Sequence, residues 1–274
     1  MRILALVPEA DCTRACLEAA AAAAGSQEGG HVAALHVRVD PLKLTTSDEE
    51  VAIQRLRDVR EGTAGQRAAE VRAHVEEWKR TASPELARLV IFDEIVGSEE
   101  EEVLRASRTA DLLVMARPKN LDGHDAFHAA VFLSHKPLLL VPADWKPTAG
   151  AGLESHLLIA WNEGEQAARA VQGAMPWIRT AAEVSILTVR RSGRSVAASR
   201  LLESLAGEGV TATLFEADPI EGRTSARILA TAKEASATLL VLGAYRYGSI
   251  IEWAVGATTR RTIAQSEIPM LLAH

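Results

Sequence analysis

The chain has 274 residues, a formal net charge of -6, and 48% hydrophobic and 24% charged residues, the balance of a globular protein rather than a disordered one. The negative balance excludes a general affinity for nucleic-acid backbones, which needs Lys and Arg clustered on one face. With aromatic residues at only 4%, the interior must be built from Ala, Val, Leu and Ile, and the length suffices for two domains of ordinary size.

The chain opens on the apolar run Ile3 to Val7, stopped by Pro8. That run is too short for a signal-peptide core or a membrane span and reads as the first strand; no later segment is long enough to span either. An Ala-rich helix follows from about Thr13 to Ala24. The two cysteines, Cys12 and Cys16, stand i to i+4 on one helical face, where a strain-free disulfide is hard to form. They read as small buried hydrophobes of a reducing compartment, so the expected location is the cytoplasm.

Further strands fit Val32 to Val37, Leu89 to Asp93, Leu112 to Met115 and Pro137 to Val141. Between them, Ser47 to Arg80 is a long polar helical stretch in which Gly62 and Gly65 are expected to break or kink the helix. Ser98-x-x-Glu101, within the acidic run Glu99 to Glu102 and just before Val103 and Leu104, reads as a capping box at a helix start. The phrase His124-Asp125-Ala126-Phe127-His128 would put two imidazoles on one helical face, with Asp122 and His135 as conceivable further ligands. A solvated helix start is the preferred reading, and no metal site is expected.

Pro142 to Gly152 is rich in turn formers and lacks periodicity, as a linker should. It places a boundary near residue 150 and divides the chain into domains 1–149 and 150–274. The second half repeats the alternation: strands at His156 to Asn162, Val184 to Val189, Thr211 to Phe215, Thr238 to Gly243 and Ile268 to Leu272. The helix after its first strand carries Ala167, Val171, Ala174, Met175 and Ile178 on one stripe. Three more helices lie around Leu201 to Leu205, Arg227 to Ala235 and Thr258 to Ile263.

Apolar strands separated by helices imply a parallel sheet covered on both faces, a doubly wound α/β domain of Rossmann-like type. The halves also match in sequence. Ala110-Asp111-Leu112-Leu113-Val114 parallels Ala237-Thr238-Leu239-Leu240-Val241, and Pro137-Leu138-Leu139-Leu140 parallels Pro269-Met270-Leu271-Leu272. Two such domains in tandem, from one duplicated unit, explain both matches.

In an open parallel sheet, ligands bind beyond the carboxyl ends of the strands where the connection direction reverses. In the second half those ends are Asn162 and Gly243. From Gly243 the sequence runs Gly243-Ala244-Tyr245-Arg246, then nine residues, then Gly256-Ala257-Thr258-Thr259. Together with Ala160-Trp161-Asn162, these phrases resemble the universal stress protein family in its tandem form, strongly in the C-terminal half and weakly in the N-terminal half. Members commonly end the first strand in Asp-Gly-Ser and carry a Gly-x2-Gly-x9-Gly-Ser/Thr loop that holds ribose and phosphates.

The resemblance implies a nucleotide site bordered by Asn162, Gly243, Arg246, Gly256, Thr258 and Thr259, taking ATP or another adenine nucleotide with magnesium. Three positions depart from the pattern: Asn162 replaces the acid, Arg246 the second glycine, and Ala257 the Ser or Thr. Arg246 fills the phosphate space, or swings aside and pairs with phosphate as a bidentate donor, or leaves Gly248 to supply the flexibility two residues later. Glycines there are expected to supply positive φ and close backbone approach to phosphate oxygens. In the first half, Pro8, Ala116, Lys119 and His124 or Ala129 stand at the corresponding positions, and no family-type ATP site is expected.

No phosphate loop of the Gly-x4-Gly-Lys-Ser/Thr kind, dinucleotide fingerprint or nucleophile elbow occurs. The expected function is that of a stress-response regulatory protein that senses a nucleotide, not of an enzyme; at most it hydrolyses ATP slowly, with no catalytic residue assigned. The alternative, of a different class, is an interaction module that binds no nucleotide and keeps a degenerate loop. By resemblance the two domains form an internal pseudo-dimer through their last strands, compatible with a further homodimer. The partner is an unidentified protein, with neither nucleic acid nor membrane expected.

Overall fold

A computed structural model describes residues 1–25, 30–39, 56–118, 125–148, 150–190, 197–244 and 257–274. The chain divides into two compact units, Met1–Ser134 and His135–His274.

Unit 1 holds β1 (Arg2–Leu6), β2 (His31–Val39), β3 (Val90–Gly97) and β4 (Leu112–Ala116), parallel and in the order β3-β2-β1-β4. Its helices are α1 (Ala10–Gly25), α2 (Ala64–Thr81), α3 (Pro84–Leu89), α4 (Glu99–Ser107) and α5 (Asp125–His128), the last running on as a π-helical turn over Ala129–Leu133. Every residue of β4 is buried, which is why the strand reads as an unbroken apolar run instead of alternating. Cys12, Cys16 and the alanines of α1 bury its inner face.

Unit 2 holds β5 (Leu138–Val141), β6 (His156–Trp161), β7 (Glu183–Val189), β8 (Thr213–Ala217), β9 (Leu239–Gly243) and β10 (Met270–Ala273), in the order β5-β10-β9-β6-β7-β8. These strands are parallel except β5, which runs antiparallel to β10 with Leu139 opposite Leu271. The linker composition points to residue 150, whereas the compact units divide ahead of β5, whose described hydrogen bonds run to β10. The helices are α6 (Glu165–Ile178), α7 (Ser199–Gly207), α8 (Thr224–Glu234) and α9 (Ala257–Gln265). Ala167, Val171, Ala174 and Ile178 of the expected stripe are buried on α6, joined by Ala170 and Trp177.

The duplication is visible in hydrogen bonds as well as in strand order. The residue before β4, Asp111, accepts the Arg2 backbone N–H through Oδ2 at 2.7 Å and returns its own N–H to the Arg2 carbonyl at 2.8 Å. The residue before β9, Thr238, does the same for His156: Oγ1 accepts the His156 N–H at 2.9 Å, and the Thr238 N–H reaches the His156 carbonyl at 2.8 Å. Each clamp fixes the register of the first strand against the fourth at the amino end of the sheet.

Two local expectations change. Ser98 stands at the N-cap of α4, but its side chain makes no capping hydrogen bond, so the capping box expected there is not formed. A capping box forms instead at Thr63 and Gln66: Gln66 N–H donates to Thr63 Oγ1 at 3.3 Å and Thr63 N–H to Gln66 Oε1 at 2.8 Å. It follows Gly62, whose φ of +81° ends the helical segment 56–61, so the glycine breaks the polar stretch as its conformational freedom allows. Gly65 lies inside α2.

Candidate functional site

In each unit the chain reverses its direction of connection beside the first strand: between β1 and β4 in unit 1, and between β6 and β9 in unit 2. Two loops splay apart at the carboxyl ends of such a pair and leave a crevice.

In unit 2, Ala160 of β6 lies opposite Leu242 of β9, so Asn162 and Gly243 leave the sheet at the same edge. Asn162 Oδ1 accepts the Gly164 N–H at 3.1 Å, and Gly164 is the N-cap of α6. Between them Glu163, exposed to solvent, has φ 62°, a left-handed conformation unusual for a residue with a Cβ. α9 begins at Ala257, and the Thr259 hydroxyl donates to the Gly243 carbonyl at 3.4 Å. Three of the expected site residues, Asn162, Gly243 and Thr259, are thus brought to one end of one crevice. Thr258 is exposed in the first turn of α9, while Thr259 is buried and its hydroxyl is used within the fold. Arg246 and Gly256 lie outside the described residues.

The reason for glycine at position 243 differs from the expected one. Gly243 is not in the left-handed region; a Cβ there would lie 2.6 Å from the Ala167 nitrogen and 2.8 Å from the Gln166 carbonyl carbon. The constraint is the close approach of β9 to the first turn of α6. Beyond it, Ala244 N–H donates to the Ala273 carbonyl at 2.7 Å, His274 Nδ1 donates to the Ala244 carbonyl at 2.9 Å, and Arg169 of α6 reaches the His274 carbonyl at 2.9 Å. The floor of the crevice is therefore tied to α6 and β10 by fixed bonds.

In unit 1, Pro8 follows β1 and lines a cavity at the carboxyl ends of β1 and β2, together with His36, Arg38, Arg57, Arg67 and Glu99. His36 Nδ1 lies 2.8 Å from the Val7 carbonyl. A carbonyl only accepts, so Nδ1 carries the proton. Burial pushes the imidazole below its ordinary pKa; the Val7 carbonyl and the Glu99 and Glu94 carboxylates oppose this, and Arg67 adds to it. Ala116 closes β4 and is buried; Lys119 and His124 lie outside the described residues. Among the described residues no cluster of three or more His, Cys, Asp or Glu side chains is placed to hold a metal ion.

Sequence pattern does not single out His36, Arg57 or Glu99. Glu99 stands in an acidic run that reads as the start of a helix, yet it is 6% exposed. The one signal for Glu99 is its place just after the third strand, at the carboxyl edge where ligands gather.

No protein-family profile matches the chain, and no curated protein matches it in sequence. Solved structures do match. A universal stress protein from Archaeoglobus fulgidus DSM 4304 superposes with a TM-score of 0.65 at 19% identity, covering 99% of this chain and 97% of that one. A Pseudomonas aeruginosa UCBPP-PA14 protein assigned to the same family gives a TM-score of 0.55 at 14% identity, with 99% and 92% covered. A protein of unknown function from Pseudomonas aeruginosa PAO1 gives 0.56 at 15% identity over the same shares, 99% and 92%.

The chain is a mostly parallel α/β protein with the fold of the universal stress proteins, and it shares that fold over nearly its whole length. Among the described residues no helix is long and apolar enough to cross a membrane.

Proposed function

We propose that this chain is a tandem universal stress protein, a stress-response regulator that binds ATP or another adenine nucleotide with magnesium in the unit 2 crevice. Asn162, Gly243, Arg246, Gly256, Thr258 and Thr259 border that site. The observation that carries this reading is the bond from Thr259 to the Gly243 carbonyl. It sets the first turn of α9 at the carboxyl end of β9, beside the β6 end, where backbone N–H groups and an exposed Thr258 can meet phosphate oxygens. Binding, not turnover, is the activity, since no general base stands among these residues. The resemblance further implies an internal pseudo-dimer, a cytoplasmic location and a protein partner that reads the nucleotide state.

A nucleotide-independent interaction module is the second reading, and one observation favours it. The Gly164 N–H already takes one of the two lone pairs of the Asn162 carboxamide oxygen, which leaves a ribose fewer acceptor sites there.

Calorimetric titration of nucleotide-stripped protein with ATP and magnesium separates the two. Saturable binding near one site per chain is expected. Arg246→Gly strengthens it if the arginine fills the phosphate space and weakens it if the arginine pairs with phosphate. No heat and no thermal stabilisation at millimolar ATP, in both proteins, would establish the second reading.

A further inference from the structure

The cavity at the carboxyl ends of β1 and β2 holds a buried charge that the proposed function does not use. Glu99 begins α4 and is 6% exposed. Its Oε2 accepts the Ala126 backbone N–H at 3.4 Å, and its Oε1 faces the Arg57 guanidinium at 3.7 Å. Arg57, with its side chain 12% exposed, comes from the helical segment 56–61.

A buried carboxylate costs several kcal/mol unless charges and donors surround it. Here Arg38, Arg57 and Arg67 line the cavity with His36, and among the described residues Glu99 is the only acid lining it. The other acids meet these arginines elsewhere: Asp58 meets Arg67 at 2.9 Å, Glu61 meets Arg57 at 3.4 Å, and Glu94 meets Arg38 at 3.8 Å. The open space beside the Glu99 carboxylate is only about 10 Å³, room for one water molecule, so an anion would have to take the volume of the carboxylate itself.

We infer that unit 1 keeps a latent oxyanion pocket, and that Glu99 occupies it with its own carboxylate. The Ala126 N–H and the Arg57 guanidinium, one neutral donor and one cation, are the partners a phosphate would use. While Glu99 fills the pocket, unit 1 is closed to free anions, and a phosphate group enters only by displacing that side chain.

The test compares the full-length protein with Glu99→Ala and with the double variant Glu99→Ala/Arg57→Ala, each titrated with inorganic phosphate against chloride at equal ionic strength. Glu99→Ala is expected to bind phosphate saturably and to gain about 3 °C or more in Tm at saturation. The wild type shows no such gain, and the double variant loses it. A folded Glu99→Ala protein that responds to phosphate no more than the wild type overturns the inference, as does a double variant that keeps the full response. If Glu99→Ala does not fold in chloride, its refolding is titrated instead. Recovery of native helical signal by phosphate but not by chloride supports the pocket; recovery by neither overturns it.

Discussion

Gly243 and Ala167 leave no room for a carbon atom between them: a Cβ on residue 243 would stand 2.6 Å from the Ala167 nitrogen. Because the obstacle is helix backbone, the fold has to give way. Gly243→Ala is expected to destabilise the protein by about 2 kcal/mol or more and Gly243→Val by more still, read from chemical denaturation midpoints. A change within about 0.5 kcal/mol of wild type would show that α6 yields easily. It also follows that loss of nucleotide binding in a Gly243 variant says little about the site until folding is checked.

Two residues past β6, Glu163 takes φ 62° while exposed to solvent. A left-handed residue with a Cβ costs roughly 1–2 kcal/mol, against roughly 0.4–1 kcal/mol for the greater freedom of glycine when unfolded. Glu163→Gly should therefore raise stability, by up to about 1 kcal/mol, with Asn162 and Gly164 still bonded. A lower denaturation midpoint would mean that the Glu163 side chain contributes something its exposure hides.

His36 is held neutral by burial, with its folded pKa below 6.5. Between the two values the unfolded chain binds the proton and the folded chain does not, so stability rises with pH. The His36 contribution is complete above pH 6.5 and is lost progressively as the pH falls from there through the folded value. His36→Phe should flatten the stability profile below pH 6.5 and leave the profile above it parallel to wild type. Equal slopes in both proteins on the acid side would assign the loss to other groups.

Burial, then the Glu9 carboxylate, pushes the Cys12 thiol up to about 12, and burial carries Cys16 higher as well. The thiolate is the reactive form, so neither cysteine should react with a disulfide reagent at pH 8 while the protein is folded. Both should react once it is denatured. Stoichiometric labelling of the native protein would place α1 among the mobile parts of the fold.

The ten described strands were legible because most lie in apolar runs bounded by turn formers or polar helix starts; β8, Thr213–Ala217, is the least apolar of them. Gly62 was legible as a break for a similar local reason. What sequence could not carry were contacts between distant segments. Glu99 looks like any acid at a helix start until Arg57 and Ala126 are set against it. Gly243 looks like a loop glycine until Ala167 approaches. The capping box moved from Ser98 to Thr63, although Thr63-x-x-Gln66 was there to be read. The candidate site was half legible: Asn162, Gly243 and Thr259 converge, but what each does in the fold rests on partners far along the chain.

The clamps made by Asp111 and Thr238 give the duplicated halves different chemistry at the same joint. Asp111 is ionised well into acid, its pKa lowered chiefly by the Arg2 N–H, and its side chain is 47% exposed, so the bond it adds is modest. It is complete above the ordinary carboxylate pKa near 3.8 and is lost as the pH falls below that. Thr238 has no proton to gain. Strong acid therefore loosens the β1–β4 joint and spares the β6–β9 joint, so two halves built to one plan need not come apart together.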